Sequence, residues 1–444
     1  MSSKIVVSAA DDDYSYEDPP TAANNPKAKP NKYLILVLSL LLALLVVGII
    51  VIITLYVVAN NVGYAYALMI DAGSTSSKIS ILKWLDYPFR KNGWVEQVNY
   101  KVEEPGISAY SDSPPEAGEK LLPVLRNMLL ENVPEEKRES TSLYLAATAG
   151  MRLLDINEPL KSDAILQNLR QQLPSAGATV HNVFSDIRII TGNTEGRYGW
   201  VAANYLDKKL GDPEGMPPKP ANEMVGMLDL GGASTQIAFV PAGTGPAQHT
   251  MPINMFGQSY NLYSYSFLCY GKEANNRRYL AQLISKANTS TSNMPSKLKI
   301  VGEGNTSKCN AEVSRLFPKK ECTQGTCSFN NVYQPAVRGK FFAFSGFVFV
   351  IDFLKFPTGG KNLTRSQVRA AVDAFCHKNW SEVNATTKPS TLKYVASYCF
   401  DGHYIENLLD GYGFKEDGSW RNIEFARKVI NSFKDFSTFQ RRTE

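Results

Sequence analysis

Histidine is scarce. The chain has four, His181, His249, His377 and His403, and their scatter holds no zinc spacing. No GxxxxGK[ST] segment occurs, which excludes a lysine-bearing phosphate loop, and no GxSxG occurs to build a serine nucleophile elbow. An excess of one charge is lacking too. The 47 Lys+Arg and 42 Asp+Glu leave +5 on 444 residues, too weak and too scattered to argue for a nucleic-acid partner. Cysteine is absent before Cys269, and charge is absent from Tyr33 to Val58. With 44% hydrophobic and 20% charged residues, a disordered or collagenous chain is excluded. The uncharged run excludes a purely soluble cytosolic one.

That run, YLILVLSLLLALLVVGIIVIITLYVV, is long enough to cross a bilayer with some tilt. Lys27, Lys29 and Lys32 precede it, and no Lys or Arg follows until Lys78. The positive-inside rule therefore makes residues 1–32 a disordered cytosolic tail and residues 33–58 a transmembrane signal anchor. The rest lies outside the cell or in a lumen. A cleavable signal is disfavoured by the tail before the run and by the run's length. All six cysteines lie beyond it, an even number that suits an oxidising compartment. Six cysteines allow fifteen pairings, and spacing settles none. Glycosylation sequons lie there too, at Asn288, Asn305, Asn362, Asn379 and Asn384. Phe341–Phe356 contains Asp352 and Lys355 and is too short to span, so it reads as a buried core helix.

Strand and helix signals alternate beyond the anchor, which points to an α/β class of two domains. Loop-like breaks fall at Ser111–Gly118 and Gly211–Asn222. An internal echo is more informative. Ala67–Leu82 reads ALMIDAGSTSSKISIL and Met227–Val240 reads MLDLGGASTQIAFV. Each has an apolar strand, an Asp, a Gly/Ser/Thr turn and a second alternating strand. Two copies at domain-scale spacing suggest two related halves facing each other.

Turns of this composition expose backbone N–H groups that an anion can approach closely. The turns at Gly73–Ser77 and Gly231–Thr235 are phosphate cradles in type. Asp71 and Asp229 would repel a bare phosphate and make sense if a divalent cation lies between. The plainer alternative is two hairpins whose aspartates cap turns. Glu195, between Gly192 and Gly196 in ITGNTEGRYGW, can serve as a general base for water, or simply cap a helix. In LYLAATAGMRL the turn Thr148–Gly150 reads, taken alone, as close packing.

These four segments, in this order, resemble the conserved regions of the ecto-nucleoside triphosphate diphosphohydrolases, or apyrases. The likeness runs from about Ala67 to about Lys428 and includes SFLCYG at Ser266–Gly271, the pair Cys322/Cys327, AFSGF at Ala343–Phe347 and SYCFDGHYI at Ser397–Ile405. The membrane-bound cell-surface members are the most similar. The resemblance implies two RNase H-like lobes of the actin-like fold, expected at 62–190 and 191–424, with the nucleotide in the cleft. Residues 425–444 would then be an atypical C-terminal segment. It implies Glu195 as the residue that activates water, Ser234 and Gln236 as its holders, and Thr148 as a further catalytic residue. Gly73, Ser74, Thr75 and Ser76 would bind phosphate from one lobe, and Gly231, Gly232, Ala233 and Ser234 from the other. Asp71 and Asp229 would lie near Ca²⁺ or Mg²⁺ bound largely through waters, and Tyr398 and Lys272 against the base. Water would attack the terminal phosphorus in line, without a covalent intermediate. The resemblance also implies the disulfides Cys322–Cys327 and Cys376–Cys399. Cell-surface members carry additional cysteines between the matches of Cys269 and Cys309. Their absence here implies that Cys269 pairs with Cys309.

The chain departs from the family in four places. A base-stacking Tyr is Val348 here, Lys272 stands where Arg is common, and Ser76-Ser77 replace His-Thr. The end of the chain, NSFKDFSTFQRRTE, replaces a GWxLGYML stretch. The resulting expectation is a single-pass type II plasma-membrane enzyme acting on extracellular nucleoside tri- and diphosphates. Its alternatives are a Golgi lumenal location and a weak or inactive nucleotide-binding form. A phosphotransferase is disfavoured by Glu195 and the extracytoplasmic site, and a homo-oligomer assembled through the anchor is left open.

Overall fold

In Tyr64–Ala72 alternate residues Leu68, Ile70 and Ala72 are buried, which sends Asp71 to the opposite face. This strand, β1, is the centre of a five-stranded sheet seen in a computed structural model of the chain. The structure describes residues 31–60, 63–86, 94–211, 216–243, 246–286, 300–318, 321–322 and 325–426. Residues 1–30, the sequon at Asn288 and residues 427–444, with most of the atypical C-terminal segment, lie outside the described residues.

Lys32–Asn60 is one α-helix. Its apolar part, Lys32–Val58, has 27 residues, and at about 1.5 Å each these outreach a hydrocarbon core of about 30 Å. Its large apolar side chains from Tyr33 to Val58 are exposed, as a lipid-facing helix requires.

The first sheet adds β2 (Ser77–Leu85), β3 (Glu96–Glu103), β4 (Ser142–Ala147) and β5 (Ile187–Ile189), in the order β3-β2-β1-β4-β5. The second contains β6 (Gly226–Leu230), β7 (Ser234–Phe239), β8 (Thr250–Met255), β9 (Gln258–Leu268), β10 (Phe341–Ser345) and β11 (Ile423–Phe425). Its order is β11-β10-β6-β7-β9-β8. With β8 set aside as an added edge strand, the two sheets share one plan. The central strand pairs antiparallel with the next strand (β1 with β2, β6 with β7) and parallel with a later one (β1 with β4, β6 with β10). The echo seen in the sequence is thus a repeat of topology, the two RNase H-like halves of the expected fold.

The helix Pro114–Asn132 covers the first sheet through Leu121, Leu125 and Met128, spaced as one helical face. The helix Pro159–Gln172 adds Ile165 and Leu169 to the same core. Pro114 occupies the first helical turn, so the break expected at Ser111–Gly118 is a helix start and not a linker. Phe341–Phe356, expected as one buried helix, is instead the strand β10 followed by a helix at Gly346–Phe353. Parallel pairing with both β6 and β11 claims Phe341–Ser345 for the sheet, and Ser345, at φ 56°, breaks the direction before the helix.

An aromatic core fills the second half, with Phe341, Phe347, Tyr404, Tyr412 and Trp420 all buried. β11 completes this sheet at Phe425. Disulfides join Cys322 to Cys327 and Cys376 to Cys399. Cys269 and Cys309 are free thiols, which corrects the pairing expected of them. Cys269 is fixed at the end of β9, its N–H donating to Ala233 O at 2.9 Å and its carbonyl accepting from Arg278 Nη1 at 3.2 Å. The Cys309 thiol accepts from Tyr279 Oη at 3.8 Å. Asn305, Asn362, Asn379 and Asn384 are exposed.

Thiol labelling of the unfolded, unreduced chain should therefore find two free cysteines, and labelling after reduction six. No free thiol before reduction would restore the Cys269–Cys309 bond.

Candidate active site

The two central hairpins turn in the same way. Gly73 N donates to Ser76 O at 2.9 Å, and Gly231 N donates to Ser234 O at 3.0 Å. Each Asp lies two residues before its glycine, and the register sets Asp71 opposite Lys78 and Asp229 opposite Gln236. The turns lie at the carboxyl ends of the central strands, where open α/β sheets place their ligands. They also meet each other. A Cβ on Gly232 would stand 2.6 Å from Ser74 Oγ and 2.9 Å from Thr75 Cγ2. Two further glycines permit the approach of neighbouring backbone. A Cβ on Gly150 would stand 2.7 Å from Ser74 Cα, and one on Gly271 would stand 2.4 Å from Ala233 N. The close packing expected at Thr148–Gly150 is thus contact with the first turn. A cavity of about 390 Å³ opens along the junction, lined by Ser74, Thr75, Gly232, Ala233, Glu273 and Arg277 among others.

The carboxylates differ in setting. Asp71 is exposed and accepts from Lys78 Nζ at 3.4 Å. Asp229 Oδ1 is buried and has no hydrogen-bond partner. Burial raises the Asp229 pKa against a hydrogen bond from Ser345 and the charge of Lys78, and the charge of Asp71 raises it further. Burial opposes the Lys78 ammonium, but Asp71 and Asp229 outweigh it and hold its pKa above the usual value. An orphaned carboxylate oxygen close to a second carboxylate fits a hydrated divalent cation.

Glu195 lies in the first turn of the helix Gly192–Leu206, capped by Thr191, whose hydroxyl accepts from Thr194 N at 3.2 Å. Ser264 Oγ donates to Asn193 O at 3.0 Å and ties this turn to β9. Burial pushes the Glu195 pKa up to about 7, opposed by Arg152 and reinforced by Asp229 and Asp71. Arg152 Nη2 lies 2.8 Å from Glu195 Oε2 and also donates to Ser234 Oγ at 3.3 Å, while Nη1 donates to Ile190 O at 3.1 Å. Gln236 Nε2 donates to Ser234 Oγ at 2.7 Å and to Ser266 Oγ at 3.0 Å. Its amide protons are thereby used, and Oε1 is buried without a partner. Thr148, buried, donates through Oγ1 to Ala72 O at 3.3 Å and braces the strand end before the first turn.

Glu195, Ser234 and Gln236 thus form one hydrogen-bonded group, with the two turns and both aspartates close by. Of the expected site residues, Ser74, Thr75, Gly232 and Ala233 line the cavity, whereas Glu195, Ser234, Gln236, Thr148, Asp71, Asp229, Lys272 and Tyr398 do not. Lys272 Nζ pairs with the buried Asp401 at 3.4 Å, and Tyr398 is buried with its ring 5.1 Å from that of Phe353. Burial raises Asp401 to about 6 against the charge of Lys272. Val348 is 1% exposed and Phe349 49%, so the exposed ring of this helix turn belongs to Phe349. Sequence reasoning passed over Arg152, Lys78 and Ser266. Arg152 is the one cation in LYLAATAGMRL, and Lys78 follows the first turn at the position Gln236 takes after the second. Ser266 opens SFLCYG, where only the register with Gln236 reveals its role.

The family pattern of the GDA1/CD39 (nucleoside phosphatase) family matches residues 57–435. Ectonucleoside triphosphate diphosphohydrolase 1 of Mus musculus is 32% identical over 404 residues, covering 83% of this chain and 78% of the relative. Ectonucleoside triphosphate diphosphohydrolase 8 of Gallus gallus is 35% identical over 407 residues, covering 83% and 80%. Ectonucleoside triphosphate diphosphohydrolase 2 of Homo sapiens is 33% identical over 403 residues, covering 83% and 79%. The crystal structure of nucleoside triphosphate hydrolases from Neospora caninum superposes with a TM-score of 0.60 at 16% identity, over 84% of this chain and 89% of that one, a likeness of fold. The chain belongs to the GDA1/CD39 family of nucleoside phosphatases and is an apyrase-type enzyme.

Proposed function

We propose that this enzyme hydrolyses the terminal phosphoanhydride of nucleoside tri- and diphosphates by in-line attack of a water that Glu195 deprotonates. The observation that carries the reading is the Glu195–Arg152–Ser234–Gln236 group beside the paired turns. Ser234 Oγ accepts from two neighbours, which leaves its own proton free to donate. Gln236 Oε1 is left as an acceptor for a water proton. Glu195 takes the other proton, the water oxygen bonds to the terminal phosphorus, and the bridging P–O bond breaks with its electron pair leaving on the shorter phosphate. Backbone N–H groups of Gly73–Ser76 and Gly231–Ser234 donate to the phosphoryl oxygens as charge develops.

Asp71 and Asp229 are the residues that would hold Ca²⁺ or Mg²⁺, largely through its waters. When bound, such a cation neutralises phosphoryl charge. The base contacts proposed for Lys272 and Tyr398 rest on resemblance. Residues 33–58 serve as a type II anchor in the plasma membrane, with the catalytic part outside. The basic residues before the apolar helix and the disulfides beyond it support that orientation.

Glu195→Gln in the full chain should lower kcat by about 100-fold or more, the usual share of a general base. Near-normal turnover would remove Glu195 from that role. Base catalysis needs the carboxylate, so kcat/KM should fall as pH drops through about 7. Arg152→Ala removes a charge that lowers this pKa, so the acid limb should move upward, and an unmoved limb would assign it to another group. EDTA should abolish phosphate release, with Ca²⁺ or Mg²⁺ restoring it; undiminished release would exclude the cation.

A further inference from the structure

We propose that Cys309, Cys399 and Cys376 form an internal thiol–disulfide exchange site, in which the bond Cys376–Cys399 is traded for Cys309–Cys399. Three helices bring the sulfurs together. Cys376 ends the helix Arg365–Cys376 and is bonded to Cys399, at the start of the helix Tyr398–Gly411. The free Cys309 lies in the helix Thr306–Ser314. Asn407 Nδ2 donates to Asn310 Oδ1 at 2.8 Å and pins that helix against Tyr398–Gly411. Cys309 Sγ, Cys399 Sγ and a ring nitrogen of His403 lie within 4.8 Å of one another. A thiol held that close to a disulfide has its reaction partner at hand. A metal ion at these sulfurs is disfavoured, because Cys399 Sγ is already bonded to Cys376 and is not a thiolate.

The buried His403 equips the site for the leaving sulfur. Its Nε2 lies 2.7 Å from Thr306 Oγ1 and 3.7 Å from Cys376 Sγ. Thr306 has one hydroxyl proton and gives it to the Asp373 carboxylate, which only accepts. Thr306 Oγ1 must then accept from His403, which puts the imidazole proton on Nε2, beside Cys376 Sγ. Burial lowers the His403 pKa, against the charges of Asp373 and Glu406, and so keeps the ring neutral. The step balances. The Cys309 thiolate attacks Cys399 Sγ, the Cys309–Cys399 bond forms and the Cys376–Cys399 bond breaks. The electron pair leaves on Cys376 Sγ, and the proton given up by Cys309 ends there. No oxidant or reductant is consumed. Burial raises the Cys309 pKa against the Tyr279 hydroxyl, so thiolate is scarce and the exchange is slow. Its effect is to change the covalent tie of the helix Tyr398–Gly411, from the helix Arg365–Cys376 to the helix Thr306–Ser314. Asp401, the partner of Lys272, lies in the turn that is retied.

The exchange leaves the mass and the two free thiols unchanged, so disulfide mapping is needed to see it. The test incubates the full-length enzyme at mildly alkaline pH without reductant, then quenches, unfolds and alkylates it in acid with a maleimide. Non-reducing proteolysis and mass spectrometry give the map. The wild type should yield the Cys309–Cys399 peptide pair, with Cys376 alkylated, beside the Cys376–Cys399 pair. A map that holds Cys376–Cys399 alone would overturn the exchange. Bonds to Cys269 would overturn it as well, since they would mean general scrambling. In Cys376→Ser, Cys309 and Cys399 should bond to each other in air and leave only Cys269 to be alkylated. Alkylation of Cys269, Cys309 and Cys399 alike would contradict the proposed proximity. Cys309→Ser should keep Cys376–Cys399 and lose the second pair entirely. If Cys376→Ser does not fold, the wild-type map decides alone.

Discussion

Everything at this site depends on how closely two backbone turns approach each other. Each is closed by a glycine N–H bonded to the carbonyl of the serine three residues on. The second cannot carry bulk where they meet, since a methyl group at Gly232 would press on the side chains of Ser74 and Thr75. The donors that remain unused by the hairpins are thus gathered in one place from two sheets. A single lobe would offer one such turn. Two lobes with the same topology offer facing turns, each with an Asp two residues before it, and hence a site for a polyanion and a cation together.

Burial beside the turns sets the proton chemistry. Glu195 is lifted to about 7 by desolvation, while Arg152 restrains the rise. Loss of Arg152 would raise the carboxyl further, and loss of burial would lower it toward an ordinary carboxylate, a weaker base. Arg152 also holds Ser234, so one guanidinium orients both the proposed base and a residue proposed to hold the water.

Much of this was legible in the sequence because it is local. The Asp–turn–strand repeat marked both hairpins, while the first helical turn that carries Glu195 came from the structure. The apolar helix and two disulfides followed from composition and resemblance. Long-range packing was less legible. Phe341–Ser345 has the composition of a buried helix as much as of a strand, and only pairing with β6 and β11 decides it. Cys269 and Cys309 stay unpaired, an outcome that counting the remaining cysteines does not encode. Arg152 and Ser266 act through partners far away in the chain. Which residue of this helix turn meets solvent, Phe349 and not Val348, is likewise visible only in the fold.

The most direct measurement is a crystal structure of the enzyme with a β,γ-imido nucleoside triphosphate and Mg²⁺. The expected result places the terminal phosphate between Gly73–Ser76 and Gly231–Ser234, with the cation near Asp71 and Asp229. A water in line with the terminal phosphorus should contact Glu195 and Gln236. A terminal phosphate bound away from either turn, or a water held by other residues, would contradict the two-turn site.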